Sequence, residues 1–147
     1  MSKRERFKLS VSVFMILVDG TKILVIKRGN TGWMDGFYSV PAGGVDGGNT
    51  LMKEAIRETK EEINITVKEP DIKLIHTMHN VTEKEEWIGA FFTTNKWEGQ
   101  PIVNEPHKHT EVKWVEIDEL PENTIPYVKQ AIEAMKNKKS YSEYGWE

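Results

Sequence analysis

A short strand-like run that passes through glycines into a helix crowded with carboxylates leaves a chain few ways to fold. Residues 37–40 read as a strand, and Pro41 stops it because proline brings no donor to a ladder. Ala42, Gly43, Gly44, Gly47 and Gly48 then make a flexible loop. Residues 50–63 read as a helix, with Met52, Ile56, Thr59 and Ile63 at the spacing of a buried stripe. Glu54, Glu58, Glu61 and Glu62 gather on another face. Like charges three or four apart on a helix repel by about 0.2–0.5 kcal/mol a pair. Arg57 reaches Glu54 and Glu61, which leaves Glu58 and Glu62 uncompensated. An ordinary solvated helix face tolerates this, and so does a site for a hard divalent cation. Magnesium and manganese take oxygen ligands, and magnesium needs only a few carboxylates, water and a substrate phosphate. The glycine loop favours the cation site, because glycine lets backbone approach a ligand closely and aim carbonyls or amides at it.

The rest of the chain is rich in strands. Residues 8–18 and 22–28 read as two strands joined at Asp19-Gly20, a strong hairpin signal. Residues 29–36 form a loop with three glycines. Residues 71–81 and 87–94 read as strands around an acidic turn, and 112–117 as another. Residues 95–111 form a polar loop of a length that often carries function. Pro126 stands in the first turn of a final helix, and the aromatic tail 140–147 fits no pattern. Strands that outnumber helices, with a helix interrupting them early, predict a mixed sheet with helices packed on its faces. At 147 residues, one domain over 1–147 is expected.

Composition excludes several classes. With no cysteine there is neither a disulfide framework nor thiolate chemistry. A net charge of -3 gives no global field toward nucleic acid or an anionic membrane. The basic start and apolar run imitate a signal peptide, but Asp19-Gly20 stands where a small-residue cleavage site belongs. A hairpin and a cytoplasmic location are therefore expected, and no apolar run reaches the roughly 20 residues of a membrane span. His76 and His79 fall on opposite faces of a strand, while His107 and His109 can share a face with Glu105. Neither pair has a second pair at zinc spacing, so structural zinc is not expected. Trp33, Phe37, Tyr38, Trp87 and Trp97 are candidates for stacking on a base, of which one or two at most are expected to do so.

The stretch from Gly43 to Ile65 resembles the signature of the Nudix hydrolases. Gly43 matches its opening glycine, Arg57-Glu58 its Arg-Glu pair, Glu61-Glu62 its Glu-Glu pair and Ile65 its closing aliphatic position. Thr59 sits where a small or aliphatic residue is usual. Asn49 replaces the first glutamate and Asn64 the last glycine. Asn64 suits a helix end in the left-handed conformation, and Asn49 is expected to cap the helix start. The resemblance extends over most of the chain, through Val40–Gly44, Lys96–Pro101 and Glu111–Pro121, and is closest to the MutT type.

This resemblance implies an α/β (α+β) fold, an α/β/α sandwich whose mixed β-sheet is flanked by helices. It implies hydrolysis of a nucleoside diphosphate linked to another group, by water attack on phosphorus with Mg²⁺ or Mn²⁺. By the same resemblance Glu58, Glu61, Glu62, Glu105 and the Ala42 carbonyl would hold metal. Glu58 is the first choice of base and Glu105 the second. Arg57 would orient the glutamates, while Arg28, Gly43 and Gly44 would meet the substrate. For Arg28 the other reading is a solvated strand end. The expected partner is a small nucleotide, with no stable nucleic acid partner and no membrane, in a monomer or homodimer. A nucleoside triphosphate is the leading substrate. The rivals are ADP-ribose, a dinucleotide or a nucleotide sugar, although residues 80–84 lack the proline or tyrosine of some such subfamilies. A sensor disabled by Asn49 is the alternative from another class. An RNA cap hydrolase would want a basic stripe that the chain lacks.

Overall fold

Strand β1 (Ser10–Asp19) is the strand on which the sheet is built. Its run of Val, Phe, Met, Ile and Leu is buried on both faces, as a central strand requires. Val13, Met15 and Leu17 pack into one apolar cluster, and Phe14 and Ile16 into another on the opposite face. Each fully buried aliphatic side chain contributes roughly 1.5–3 kcal/mol. The computed structural model describes residues 4–147, so the first three residues of the basic start lie outside it.

The other elements are β2 (Lys22–Arg28), β3 (Tyr38–Ser39), β4 (Ala42–Gly44), α1 (Leu51–Ile63), β5 (Lys73–Thr82), β6 (Glu85–Thr94), β7 (His109–Glu116), α2 (Pro126–Lys136) and β8 (Tyr141–Tyr144). The sheet is mixed. β1 pairs parallel with β6 and β8 parallel with β5, and the remaining pairs are antiparallel. α1 contributes Ala55 and Ile63 to one cluster, and α2 contributes Val128, Ala131 and Ile132 to the other. The two helices therefore cover opposite faces, which is the α+β sandwich expected. No helix among the described residues is long and apolar enough to cross a membrane.

β1 splits its neighbours. Its start, Ser12–Phe14, pairs with β4, while its end, Val18 and Asp19, pairs with β2. A groove opens where β2 and β4 part.

Three elements differ most from the sequence reading, while β6 and β7 begin earlier than the 87 and 112 expected, at Glu85 and His109. Ala42–Gly44 is a strand rather than loop, because β1 supplies it with a ladder whatever its own propensity. The strand read at 37–40 shrinks to Tyr38–Ser39. The aromatic tail forms β8, held from outside by His76, whose ring nitrogens bond the Lys139 carbonyl and the Ser142 hydroxyl. The acidic turn is a two-residue hairpin with Glu83 and Lys84 both at positive φ.

Candidate active site

Helix α1 begins at Thr50, whose hydroxyl accepts from the Lys53 N–H, and ends at Asn64 in the left-handed conformation with φ of 59°. The expectation for Asn64 is borne out. The expectation for Asn49 is not, because Thr50 is the cap. Asn49 instead donates its amide to Glu54 Oε1 at 3.0 Å. We expect Thr50→Ala to cost about 0.5–2 kcal/mol in urea denaturation. Asn49→Glu would set a carboxylate against Glu54, and we expect it to lower the urea midpoint rather than restore a partner for Arg57.

The four glutamates of α1 occupy different environments. Glu54 is buried and bonds Arg57 Nη2 at 2.6 Å. Glu61 is exposed and takes Arg57 Nη1 at 2.9 Å, while Glu58 takes Nη2 at 3.0 Å. Arg57 thus ties three carboxylates, and hydrogen bonds to Glu54 and then Glu61 hold its guanidinium firmly protonated. No cation among the described residues pairs with Glu62. It is buried, and its Oε1 accepts the Ala42 N–H at 2.9 Å. Burial is the main reason its pKa is pushed up to about 8, with Glu58 and Glu105 adding repulsion. Burial likewise raises Glu58, against the pull of Arg57.

Gly43 explains how Glu58 reaches this place. A Cβ on Gly43 would overlap the Glu58 carboxyl and stand 2.7 Å from its Cγ. The missing side chain is the space the carboxylate occupies. The glutamate face of α1 is therefore turned against β4 and largely withdrawn from water, unlike a solvated helix face.

The loop after β6 closes the site from above. Ile102 N–H bonds the Ile63 carbonyl, and Asn104 N–H bonds the Glu62 carbonyl. The Asn104 side chain donates to the Glu61 carbonyl at 2.9 Å. These groups satisfy carbonyls that a helix end leaves open. They bring Glu105 near enough to Glu58 and Glu62 for its charge to raise both. Glu105 itself lies 3.8 Å from Lys108 Nζ.

A hollow of about 520 Å³ gathers Glu58, Glu62, Ala42, Gly43, Gly44 and Arg28, with Lys108 and His109 on its far wall. Six predicted site residues thus meet. Glu61 points away to Arg57, and Glu105 stands just behind Lys108. Arg28 is not a free strand end. Its guanidinium bonds the Trp33 carbonyl and Thr31 hydroxyl and lies 4.9 Å from the Trp33 ring. Lys108 was missed as a candidate, although its place three residues after Glu105 in a long loop was a signal. His109 is buried with Nδ1 unpartnered. Burial, then the nearby Arg28 and Lys108 cations, hold it down at about 4.

A second hollow of about 310 Å³ adjoins the first and shares Arg28, Ala42, Gly43 and Gly44 with it. Four aromatic side chains line it, Phe14, Trp33, Trp87 and Tyr127, together with polar groups that include Ser10, Ser12 and Glu85. Of the five aromatic candidates, Trp33 and Trp87 reach this groove. Trp97 stacks instead on Trp114 and belongs to the cluster under α1.

Among the described residues no three acidic or imidazole groups converge into a complete metal cage. The donor set nonetheless fits a magnesium or manganese ion held partly by substrate. Two hard oxygen carboxylates, Glu58 and Glu62, line one hollow, no cation among the described residues pairs with Glu62, and magnesium takes one or two carboxylates plus phosphate.

The raised Glu62 pKa sets a pH dependence. In the folded chain Glu62 keeps its proton to about 8, against an ordinary value of 4.5. Its contribution is full below pH 4.5 and is lost as pH rises through about 8. The loss is on the order of a few kcal/mol. Without divalent ions, the urea midpoint should therefore fall between pH 5 and 8.5, and Glu62→Gln should flatten that fall.

A family profile described as the NUDIX domain matches residues 6–136. An RNA pyrophosphohydrolase of Erythrobacter litoralis is 27% identical over 118 residues, covering 68% of this chain and 71% of that protein. A MutT NUDIX hydrolase structure from Burkholderia pseudomallei superposes with a TM-score of 0.77 at 25% identity, covering 86% of this chain and 98% of that one. A NUDIX hydrolase structure from Nitrosomonas europaea has a TM-score of 0.78 at 21% identity, covering 91% and 93%.

Proposed function

Since this chain belongs to the Nudix family and is a hydrolase of pyrophosphate bonds, we propose that it cleaves a nucleoside triphosphate to the monophosphate and pyrophosphate. The observation that carries the reading is the two-part groove. One half holds Glu58, Glu62 and Lys108, the other carries four aromatic side chains, and Arg28 stands where the two meet. That division matches a nucleotide, with its phosphates at one end and its base at the other.

Glu58 and Glu62 would hold a magnesium or manganese ion, with the Ala42 carbonyl and Glu105 as further oxygen donors, while Glu61, with both oxygens given to Arg57, would join only by leaving that partner. When bound, such an ion neutralises phosphate charge and lowers the pKa of water. The chain supplies the rest. Lys108 and Arg28 set positive charge along the phosphate path. Glu58, whose pKa burial raises, accepts the proton of the attacking water at a carboxylate oxygen, with Glu105 next in line. Arg57 holds Glu58 at a fixed rotamer through Nη2 and touches no substrate. Trp33, which is only partly buried, would offer a π-face to the base, while Trp87 is buried against Phe14 and Tyr127 and shapes the floor.

A second reading draws on the Erythrobacter relative. Arg4, Arg6 and Lys8 are exposed, with Glu5 among them, and precede Ser10 at the groove; they are too few for a basic stripe but would meet the phosphates of a longer 5′-triphosphorylated chain.

One experiment separates these readings. Nucleoside triphosphates, ADP-ribose, nucleotide sugars and a 5′-triphosphorylated oligonucleotide are incubated with Mg²⁺ or Mn²⁺, and products are identified by mass. Monophosphate plus pyrophosphate is the expected result, with no turnover in excess EDTA. Preference for the oligonucleotide selects the second reading. Full activity in EDTA would sink the metal assignment, and binding without cleavage would make the chain a sensor.

A further inference from the structure

β2 and β7 run in register from Lys22 with Glu116 to Lys27 with Glu111. There the register slips, so that Arg28 pairs with His109 and Thr110 is left over. A bulge of this kind re-aims the side chains beyond it. In an unbroken ladder Thr110 would stand beside Arg28, and His109 would fall on the other face. Gly29 makes room for the slip, since a Cβ there would stand 2.5 Å from Thr110 Cγ2. The bulge thus sets the His109 ring beside Arg28 in the hollow that holds Glu58 and Glu62. His109 is only 3% exposed, and Nδ1 is enclosed without a partner. Neither ring nitrogen bonds another described residue. Buried polar groups are normally hydrogen-bonded. His76, the other buried histidine, obeys that rule with both of its ring nitrogens. His76 holds the fold together, whereas His109 bonds nothing and borders the carboxylate site.

We propose that His109 binds the substrate directly, donating a hydrogen bond from Nε2 to a phosphate oxygen. This rests on the nucleotide reading above and adds a residue to its phosphate half. With Nδ1 enclosed, Nε2 is the nitrogen left to meet a ligand. An imidazole can present an N–H at that place whether it is neutral or protonated. Arg28 and Lys108 flank the ring in the same hollow, so the ligand they draw is an anion. Arg28 has already given Nε to the Trp33 carbonyl and Nη2 to the Thr31 hydroxyl. A directed donor beside two cations suits a phosphate chain, which carries several acceptor oxygens and no donor. Charge draws such a chain in, and the ring N–H fixes where one of its oxygens lies.

Nitrogen NMR of protein labelled with ¹⁵N at histidine reads the contact itself. The His109 ring signals are assigned by their loss in His109→Gln. With Mg²⁺ present throughout, inorganic pyrophosphate should move the Nε2 signal of His109, whereas adenosine, which has no phosphate, should leave it in place. Steady-state kinetics on nucleoside triphosphates are measured beside it. His109→Leu keeps bulk without a donor and should lower kcat/KM by about tenfold or more, the scale of a hydrogen bond to a charged group. His109→Gln, whose amide donates from a similar place, should recover most of that loss. A histidine that only fills space would give no response to pyrophosphate and equal losses in the two variants. Ring signals that stay in place with pyrophosphate, or a glutamine variant no better than the leucine one, overturn the assignment. If no nucleotide is hydrolysed, the hydrolase reading fails by itself, and the pyrophosphate titration still decides the role of His109.

Discussion

Exchanging Glu58 for glutamine should lower kcat by about 10² or more, the scale of losing general-base help. The shape of the side chain is kept, so substrate should still fill the groove and KM should move less than kcat. Stability should hold or rise. Burial already works against an ionised Glu58, and Glu61 and Glu105 repel it, so a neutral side chain removes a strained charge. Steady-state kinetics and a thermal melt on the same preparation check both halves. Activity within a few-fold of wild type would hand the base to Glu105, and Glu105→Gln is then the variant to make.

Gly43→Ala should be nearly as damaging, although it changes no functional group. The new methyl takes the space that the Glu58 carboxyl fills, and β4 is pinned to β1 on both sides of Gly43. The carboxylate has to leave its place against the strand. A loss in kcat of about 10² is again expected, because the same base is lost. A double-mutant cycle identifies the cause. If Gly43 acts through Glu58, the double variant Gly43→Ala with Glu58→Gln should be no worse than either single change, since coupled sites are not additive. Losses that multiply would show that Gly43 serves some other purpose, and full activity in Gly43→Ala would end the argument from space.

How much of this was legible beforehand depended on the range of the interaction. The sandwich was readable because β1, β2, β5, β6 and α1 carry their own periodicity. The Asn64 helix end was local in the same way, and so was the Arg57 bridge to Glu54 and Glu61. β4 and β8 were not readable, because three small residues and an aromatic tail become strands only when β1 and β5 offer them ladders. The cap was misplaced by one residue because Asn49 and Thr50 are both good caps, and the choice is made by the buried Glu54 that claims the Asn49 amide. The separate fates of Glu58, Glu61 and Glu62 also lay beyond the sequence. Helical spacing put them on one face, and only the packing of β4 decides which is drawn inward. Lys108 and Glu85 reach the groove from loop and hairpin positions with no periodic signal of their own.

The lacing of the long loop onto the end of α1 tells where relatives of this chain are free to drift. The amides of Ile102 and Asn104 are both given to helix carbonyls. Proline has no such amide, so it is barred from those two positions and permitted outside them, where Pro101 and Pro106 stand. Insertions belong between Gly99 and Ile102, since Glu98 is bonded to Thr66 in both directions and added length after it only enlarges the excursion. An insertion between Asn104 and Glu105 would keep every side chain of the site and still misplace the acid that α1 needs overhead. A homologue search that scores residue identity alone would pass such a chain, whereas one that also scores loop spacing would flag it.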